Sequence, residues 1–271
     1  MPRDLRIWLG GGFILLLLAI ALLAPLIAPF DPLEQDLMAA TAAPGQEPGR
    51  WLGTDSLGRD LLSRMIYATR IALTVAFVAA TLACILGTAL GLLAGYFGGW
   101  TDAVISRLID IWMAFPPVLL SILLVAVLGS GLHSVIVAIV VIDWTRFARV
   151  VRAETLQQAR LEYAEAATAL GMGRMAVLFR EILPNVLPVV LVLLSLEMGI
   201  AVIVEAILSF VGLSVSSDTP TWGGMIAEGR QIIYQAWWVL VFPLGALFLT
   251  VLAFNQLGDG LRQWLDPMLK R

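Results

Sequence analysis

Four carboxylates stand where carboxylates are costly: Asp110, Asp143, Glu197 and Glu205 fall within or beside long apolar runs. A charge at bilayer depth costs about 2.5–3.5 kcal/mol even on insertion scales, so each must face protein, water or a partner. Asp110 has Arg107 one turn before it and Asp143 has Arg146 one turn after it, so local ion pairs account for both. Glu197 and Glu205 have no such neighbour. They lie on one helix about 12 Å apart along its axis and on broadly the same side. Three roles suit them: holding a cationic group in a translocation path, satisfying polar groups of a partner, or, for Glu205, sitting in the outer interfacial zone.

Catalysis finds little material. The single histidine, His133 in the probable outer loop GSGLHS, and the single cysteine, Cys84 in an apolar run, assemble neither a triad nor a zinc site nor a disulfide framework. The one lysine, Lys270, is followed by the last residue, so no Gly-Lys-Ser/Thr phosphate cradle exists and Ser/Lys hydrolysis fails as well. The expectation is no catalytic residue, no metal and no cofactor within this chain. Sixteen of the 17 basic residues are arginine, the net charge is -3, and no basic tract points to nucleic acid.

The elements that position these groups are membrane spans. Of 271 residues, 60% are hydrophobic and 14% charged, and mean hydropathy is +0.91, outside the range of soluble domains. A crossing needs about 20 apolar residues, and six segments are predicted. The first, 7–28, is too long for a signal-peptide core and is read as uncleaved. The second lies in the 31 uncharged residues between Arg70 and Asp102. The third runs from about Thr101 to Leu128 and is kinked by Pro116 and Pro117. The fourth, about 132–151, is interrupted by Asp143, Arg146 and Arg149 at three-residue spacing on one face. The fifth is 186–210, and the sixth falls in the 28 uncharged residues between Arg230 and Asp259. Placing both termini inside puts 12 of 17 basic residues on the cytoplasmic side. The organisation is then 1–29 with the first span, an extracytoplasmic loop 30–70, and a five-span core 71–271 with a cytoplasmic loop at about 152–185.

That loop is polar and alanine-rich: EYAEAATALGMGRMAVLFREILPN, Glu162 to Asn185. A helix from Glu154 through Leu170, a turn through positive backbone angles at Gly171 and Gly173, and a second short helix to Leu183 before Pro184 make a helical bracket. Small side chains let another surface approach the backbone, and Glu165 offers one charge to orient it. A surface helix lying on the bilayer has the same composition.

Glu165-Ala166-Ala167, then Gly171, then Leu183-Pro184 resembles the E-A-A-x3-G-x9-I-x-L-P signature of permease subunits of binding-protein-dependent ABC importers, with Glu181 where that signature has Ile. GTDSLGRDLLSR, Gly53 to Arg64, and EAILSFVGLSVSSDTPTWGGMI, Glu205 to Ile226, are similar to segments of the dipeptide, oligopeptide and nickel branch. The resemblance implies an all-α membrane protein of six transmembrane helices, the type I ABC importer permease fold, with a cytoplasmic coupling helix seated in an ATPase. It implies a second permease, two ATP-binding subunits that hold ATP and Mg, an extracytoplasmic solute-binding protein, and residence in a bacterial inner membrane. Glu165, Ala166, Ala167, Gly171, Leu183 and Pro184 would then couple to the ATPases. Arg152, Arg160 and Arg180 read as solvated.

Two loop passages keep two readings each. Thr54 and Asp55 are N-cap candidates for a short helix carrying Leu61, Leu62, Met65 and Ile66, while Arg59 and Asp60 suit binding-protein docking or bracing of an outer gate. In TPTWGGM, Pro220, Gly223 and Gly224 read as turns and Trp222 as an interfacial anchor, with gate lining as its other role. Within the branch, di- or oligopeptides are the expected cargo, and nickel, glutathione or another small solute the alternative. A secondary transporter built on Asp143, Glu197 and Glu205 is the rival of another class, and a non-transporting scaffold a third.

Overall fold

The computed structural model describes residues 3–215 and 219–265. Among these the chain is helical: α1 Arg3–Ile27, α2 Leu61–Phe97, α3 Gly99–Met113, α4 Pro117–Leu128, α5 Leu132–Gln158, α6 Glu162–Ala169, α7 Arg174–Val177, α8 Leu183–Phe210, α9 Trp222–Gln231 and α10 Trp238–Leu265. Four stretches are long and apolar enough to cross a membrane: Leu5–Ile27, Leu61–Phe97, Arg174–Phe210 and Trp238–Leu265. α3 and α4 qualify only as a pair, bent by 88°. The expected kink is therefore a break: Ala114 to Pro116 leave the helix and Pro117 starts a new one, because proline suits the first turn and disrupts the interior. α5 carries Asp143, Arg146, Arg149 and Arg152 and does not pass that test.

The bundle is organised around α2. Its 37 residues span about 55 Å, so it passes well beyond a hydrocarbon core of ~30 Å. Gly87, Gly91 and Gly95 form a stripe one turn apart on the face that meets α5. A Cβ at Gly91 would lie 2.8 Å from the Ala148 carbonyl oxygen and 2.8 Å from Val151 Cβ, and one at Gly95 would lie 2.7 Å from the Arg152 carbonyl oxygen and 2.7 Å from Thr155 Cβ. The two backbones touch, as small-residue interfaces in membranes allow. On other faces α1 lies along α10, and α10 along α8. One apolar core joins α1, α2, α8, α9 and α10 through residues such as Leu61, Val202, Trp222 and Phe254, and a second joins α2, α5 and α8 through Phe147, Val151, Ile182 and Val186.

The 28–60 segment is folded back on one end of this bundle, with the α5–α6–α7 elbow at the other. Phe30 N–H donates to Ser63 Oγ at 3.0 Å, Arg50 Nη2 to Asp36 at 3.2 Å, and Trp238 Nε1 to the Thr54 carbonyl at 3.0 Å. The helix expected to be short after Thr54 and Asp55 is the start of α2 itself. Its N-cap is Asp60, which accepts from Ser63 N–H at 2.8 Å. Thr54 and Asp55 are wholly buried and serve other partners. His133, placed by sequence in a loop, is the second residue of α5.

Candidate functional site

The elbow comes from local backbone chemistry. α5 ends at Gln158, and α6 follows after a three-residue turn. At the far end of α6, Met172 N–H donates to the Ala167 carbonyl at 3.1 Å and Gly171 N–H to the Thr168 carbonyl at 3.0 Å. That pairing closes a helix through a left-handed residue, and Gly171 has φ +83. Gly173, also expected to turn this way, has φ -64. Ala164 is buried, whereas Glu165, Ala166 and Ala169 are exposed and Leu170 is 88% exposed. Glu165 lines a cavity of ≈ 370 Å³ with Tyr96, Ala159, Thr168 and Val177. Small exposed side chains on the outer face of a helix that is anchored through Ala164 and Ala167 offer a low, accessible ridge.

Beyond the elbow the structure departs from expectation. The second bracket helix does not stop at Pro184: Arg174–Phe210 is one continuous 37-residue stretch. Leu178–Ile182 widens to a π turn, and Leu183 N–H donates to the Leu178 carbonyl. A proline inside a helix lacks a donor and crowds the carbonyl four residues back, and the widened turn directly before Pro184 makes room for the ring. Asn185 Nδ2 supplies a further donor to the Glu181 carbonyl at 2.7 Å. Leu183 packs against the second core, while Pro184 is exposed. The coupling residues named from sequence therefore fall on one segment: Glu165 to Ala167 on its ridge, Gly171 at its turn, Leu183 and Pro184 where it enters the span.

Of the two local pairs implied by spacing, Asp143 with Arg146 forms, at 4.0 Å, and Asp110 with Arg107 does not. Glu197, 3% exposed on α8, accepts from Arg146 Nη1 on α5 at 3.2 Å. Arg146 also approaches Asp143, at 4.0 Å. Asp110 pairs with Arg149 at 3.0 Å instead of with Arg107. Arg152, read as solvated, grips both carboxylate oxygens of Asp102 in α3. Three arginines at three-residue spacing on α5 thus reach α8 and α3 in turn. Glu205, 1% exposed, accepts from the Ser209 hydroxyl and from the Ser214 hydroxyl, the latter at 3.1 Å. Its partners come from its own helix and the turn after it, so the outer-interface reading gives way to a buried, satisfied carboxylate.

At the loop end, Arg59 and Asp60 are buried, with 6% and 2% of their surface exposed. Of the two expected roles, burial does not suit docking and leaves the bracing of an outer gate. Asp55 accepts from Leu57 N–H at 2.9 Å, from Arg59 N–H at 3.0 Å and Nε at 2.7 Å, and from Arg64 Nη1. Glu228 of α9 closes the cluster on Arg59 Nη2 at 2.6 Å and Arg64 Nη1 at 2.8 Å. Burial acts to lower the Arg59 pKa, but Asp55 and Glu228 outweigh it and raise it above the ordinary value. Trp222 is 2% exposed, inside the main core and not at an interface. Thr221 caps its helix by accepting from Gly224 N–H at 3.1 Å.

Four long apolar helices, a proline-broken pair and a polar elbow between them make a helical multi-pass membrane protein. The chain belongs to the binding-protein-dependent transport system inner membrane component family, whose profile matches residues 87–271. Residues 7–44 match the N-terminal TM domain of oligopeptide transport permease C. It is 44% identical over 261 residues to the glutathione transport system permease protein GsiD of Pectobacterium atrosepticum, covering 96% of this chain and 86% of that one. The GsiD of Shigella dysenteriae is 43% identical over 258 residues, covering 95% and 85%. Among solved structures, the methionine ABC transporter MetNI in inward-facing conformations matches with TM-score 0.59 at 19% identity, covering 74% of this chain and 97% of that one. An amino acid ABC transporter with histidines matches with TM-score 0.59 at 18% identity, covering 75% and 95%. The chain is an ABC importer permease and a multi-pass inner-membrane protein.

Proposed function

We propose that this chain is the non-catalytic, membrane-spanning half of an ATP-driven importer for small peptides, and that α6 is its coupling helix. The observation that carries this is the exposed Glu165–Ala166–Ala169 ridge, closed by Gly171 and joined by a four-residue turn to a helix that runs through the π turn as a full-length span. A rigid segment seated in a moving ATPase shifts the helices on either side of it. Six crossings are proposed: the four long apolar helices, the broken α3–α4 pair as a fifth, and α5 as a sixth, its arginines paired with α3 and α8. Both termini and the elbow then face the cytoplasm, and 28–60 faces outward. Six crossings are too few to enclose a peptide-sized path, so a second permease, two ATP-binding subunits carrying ATP and Mg, and an extracytoplasmic binding protein are proposed to complete the machine. The loaded binding protein docks, ATP closes the ATPases, the elbows move, the path opens outward, and hydrolysis resets it.

Glutathione is the cargo favoured among the alternatives, because the GsiD relatives carry it in their names and it is itself a small peptide. For a secondary transporter Glu197 would serve as a proton or cation site, but it is already engaged by Arg146. In vesicles holding the whole complex, uptake is expected to need ATP and to survive an uncoupler. Ala166→Cys is expected to react with an impermeant thiol reagent only from the ATPase side, and labelling from the opposite side would end the coupling reading. Gly171→Val strains the left-handed turn by about 1–2 kcal/mol and is expected to reduce co-purified ATPase roughly tenfold.

Glu197 and Glu205 are proposed to border the path. Glu197→Gln removes the charge that Arg146 meets, and uptake is expected to fall by about tenfold while the complex still assembles. Unchanged uptake would assign Glu197 to structure alone.

A further inference from the structure

We propose that α3 lies along the elbow-side face of the membrane as an interfacial helix, its exposed apolar stripe seated among lipid acyl chains, and that α4 carries the hydrocarbon part of the crossing. The two helices meet at 88°, so at most one of them runs close to the bilayer normal. α4 is the uncharged one: Pro117–Leu128 holds only apolar residues and Ser121, and it packs against α5. α3 holds Asp102, Arg107 and Asp110 within 15 residues, and such charges are costly in hydrocarbon. It starts at Gly99, directly after α2, and Gly95 in the last turn of α2 lies against Thr155 near the end of α5. α3 is therefore at the elbow end of the bundle.

The surface of α3 is divided three ways. Ile105 and Ile109 face inward and join a small core with Ala94, Trp144 and Ala148. Trp100, Val104, Leu108 and Ile111 recur every three or four residues and are 83%, 42%, 43% and 54% exposed, which sets them on one outer stripe. Ala103, Arg107 and Asp110 are exposed at the same spacing on the stripe beside it. A crossing helix would need a water-filled cavity along the second stripe, and a helix in water would leave the first one wet. At the boundary both are satisfied: the apolar side chains reach about 5–10 Å below the headgroups and the polar ones keep their water. Trp100, at one end, is the residue type that favours this level. Asp110 and Arg149 pair at 3.0 Å with more than half of each side chain exposed, as suits a pair at the water's edge, and Arg152 grips both oxygens of Asp102. Those two pairs tie α3 to α5, which leads into the elbow.

The test uses the full chain in its complex, reconstituted in phospholipid vesicles, with Cys84→Ala as parent and one nitroxide at a time on Val104→Cys, Leu108→Cys, Ile111→Cys or Ala103→Cys. Collisions with oxygen, which concentrates among acyl chains, and with a water-soluble nickel chelate give the depth of each label. The three apolar positions are expected to favour oxygen and to share one depth, about 5–10 Å below the headgroups, while the Ala103→Cys label favours nickel. If α3 crossed instead, the step from Val104 to Ile111 would carry the label through about 10 Å of depth, and such a gradient would overturn the proposal. Nickel prevailing at all four positions would put the helix in water and overturn it too. So would a failure of both reagents to reach the three apolar positions, which would place a second permease or another subunit over the stripe.

Discussion

Gly87→Val is expected to destabilise the permease by at least about 3 kcal/mol, at the upper end of overpacking costs. A Cβ at Gly87 would fall against the Trp144 carbonyl oxygen, 2.5 Å from Phe147 Cβ and 3.0 Å from the Ala148 nitrogen. These are backbone atoms or the first atom of a side chain, so no change of rotamer makes room. α2 and α5 must move apart, and the contacts at Gly91 and Gly95 go with them. α5 leads directly into the elbow, so the loss reaches the ATPase contact too. Gly245→Ala is the control: nothing lies within 4 Å of a Cβ there, and alanine favours the helix by about 1 kcal/mol. Thermal melting in detergent should show a large fall for the first and none for the second. Equal melting of the two would mean that α2 and α5 are not in backbone contact.

The second large effect is expected at Asp55. Asp55→Asn leaves the Arg59 and Arg64 guanidiniums, both nearly buried, facing Glu228 alone. Breaking a buried ion pair from one side costs about 3–5 kcal/mol, because the stranded charge remains. Glu228→Gln should cost less, about 1–2 kcal/mol, since Glu228 is a third exposed and water can replace part of its role. The readout is local: amide exchange across 28–60 and the start of α2 should rise sharply in Asp55→Asn and modestly in Glu228→Gln. The opposite order would show that α9, not the loop's own aspartate, holds the cluster together.

Both predictions depend on contacts that local sequence rules do not reach. Apolar run lengths were enough for an all-helical membrane protein and for the approximate place of most crossings. The elbow was legible for the same reason, since Gly171 and the alanines before it act through their own backbone and their immediate neighbours. Where two local rules competed, sequence reasoning went astray. Pro116 and Pro117 were expected to bend a helix that is in fact interrupted, and Pro184 to end a helix that a π turn carries through. Thr54 and Asp55 are as good N-cap residues as Asp60, but Asp55 is taken up by the turn at Leu57 and Arg59 and by the two buried guanidiniums.

The amino-acid order by itself determined which segments are apolar enough to cross and where the elbow turns at Gly171, because hydropathy and glycine torsions act over one or two helical turns. Tertiary structure decided which charges meet. Arg146 finds Glu197 51 residues away and Arg59 finds Glu228 169 residues away, and it is the close approach at Gly87, Gly91 and Gly95 that sets the height of α5's arginines beside α2. A shift of one residue along a helix turns a side chain by about 100° and moves it 1.5 Å. Partner choice in a bundle is therefore a property of the packed backbones.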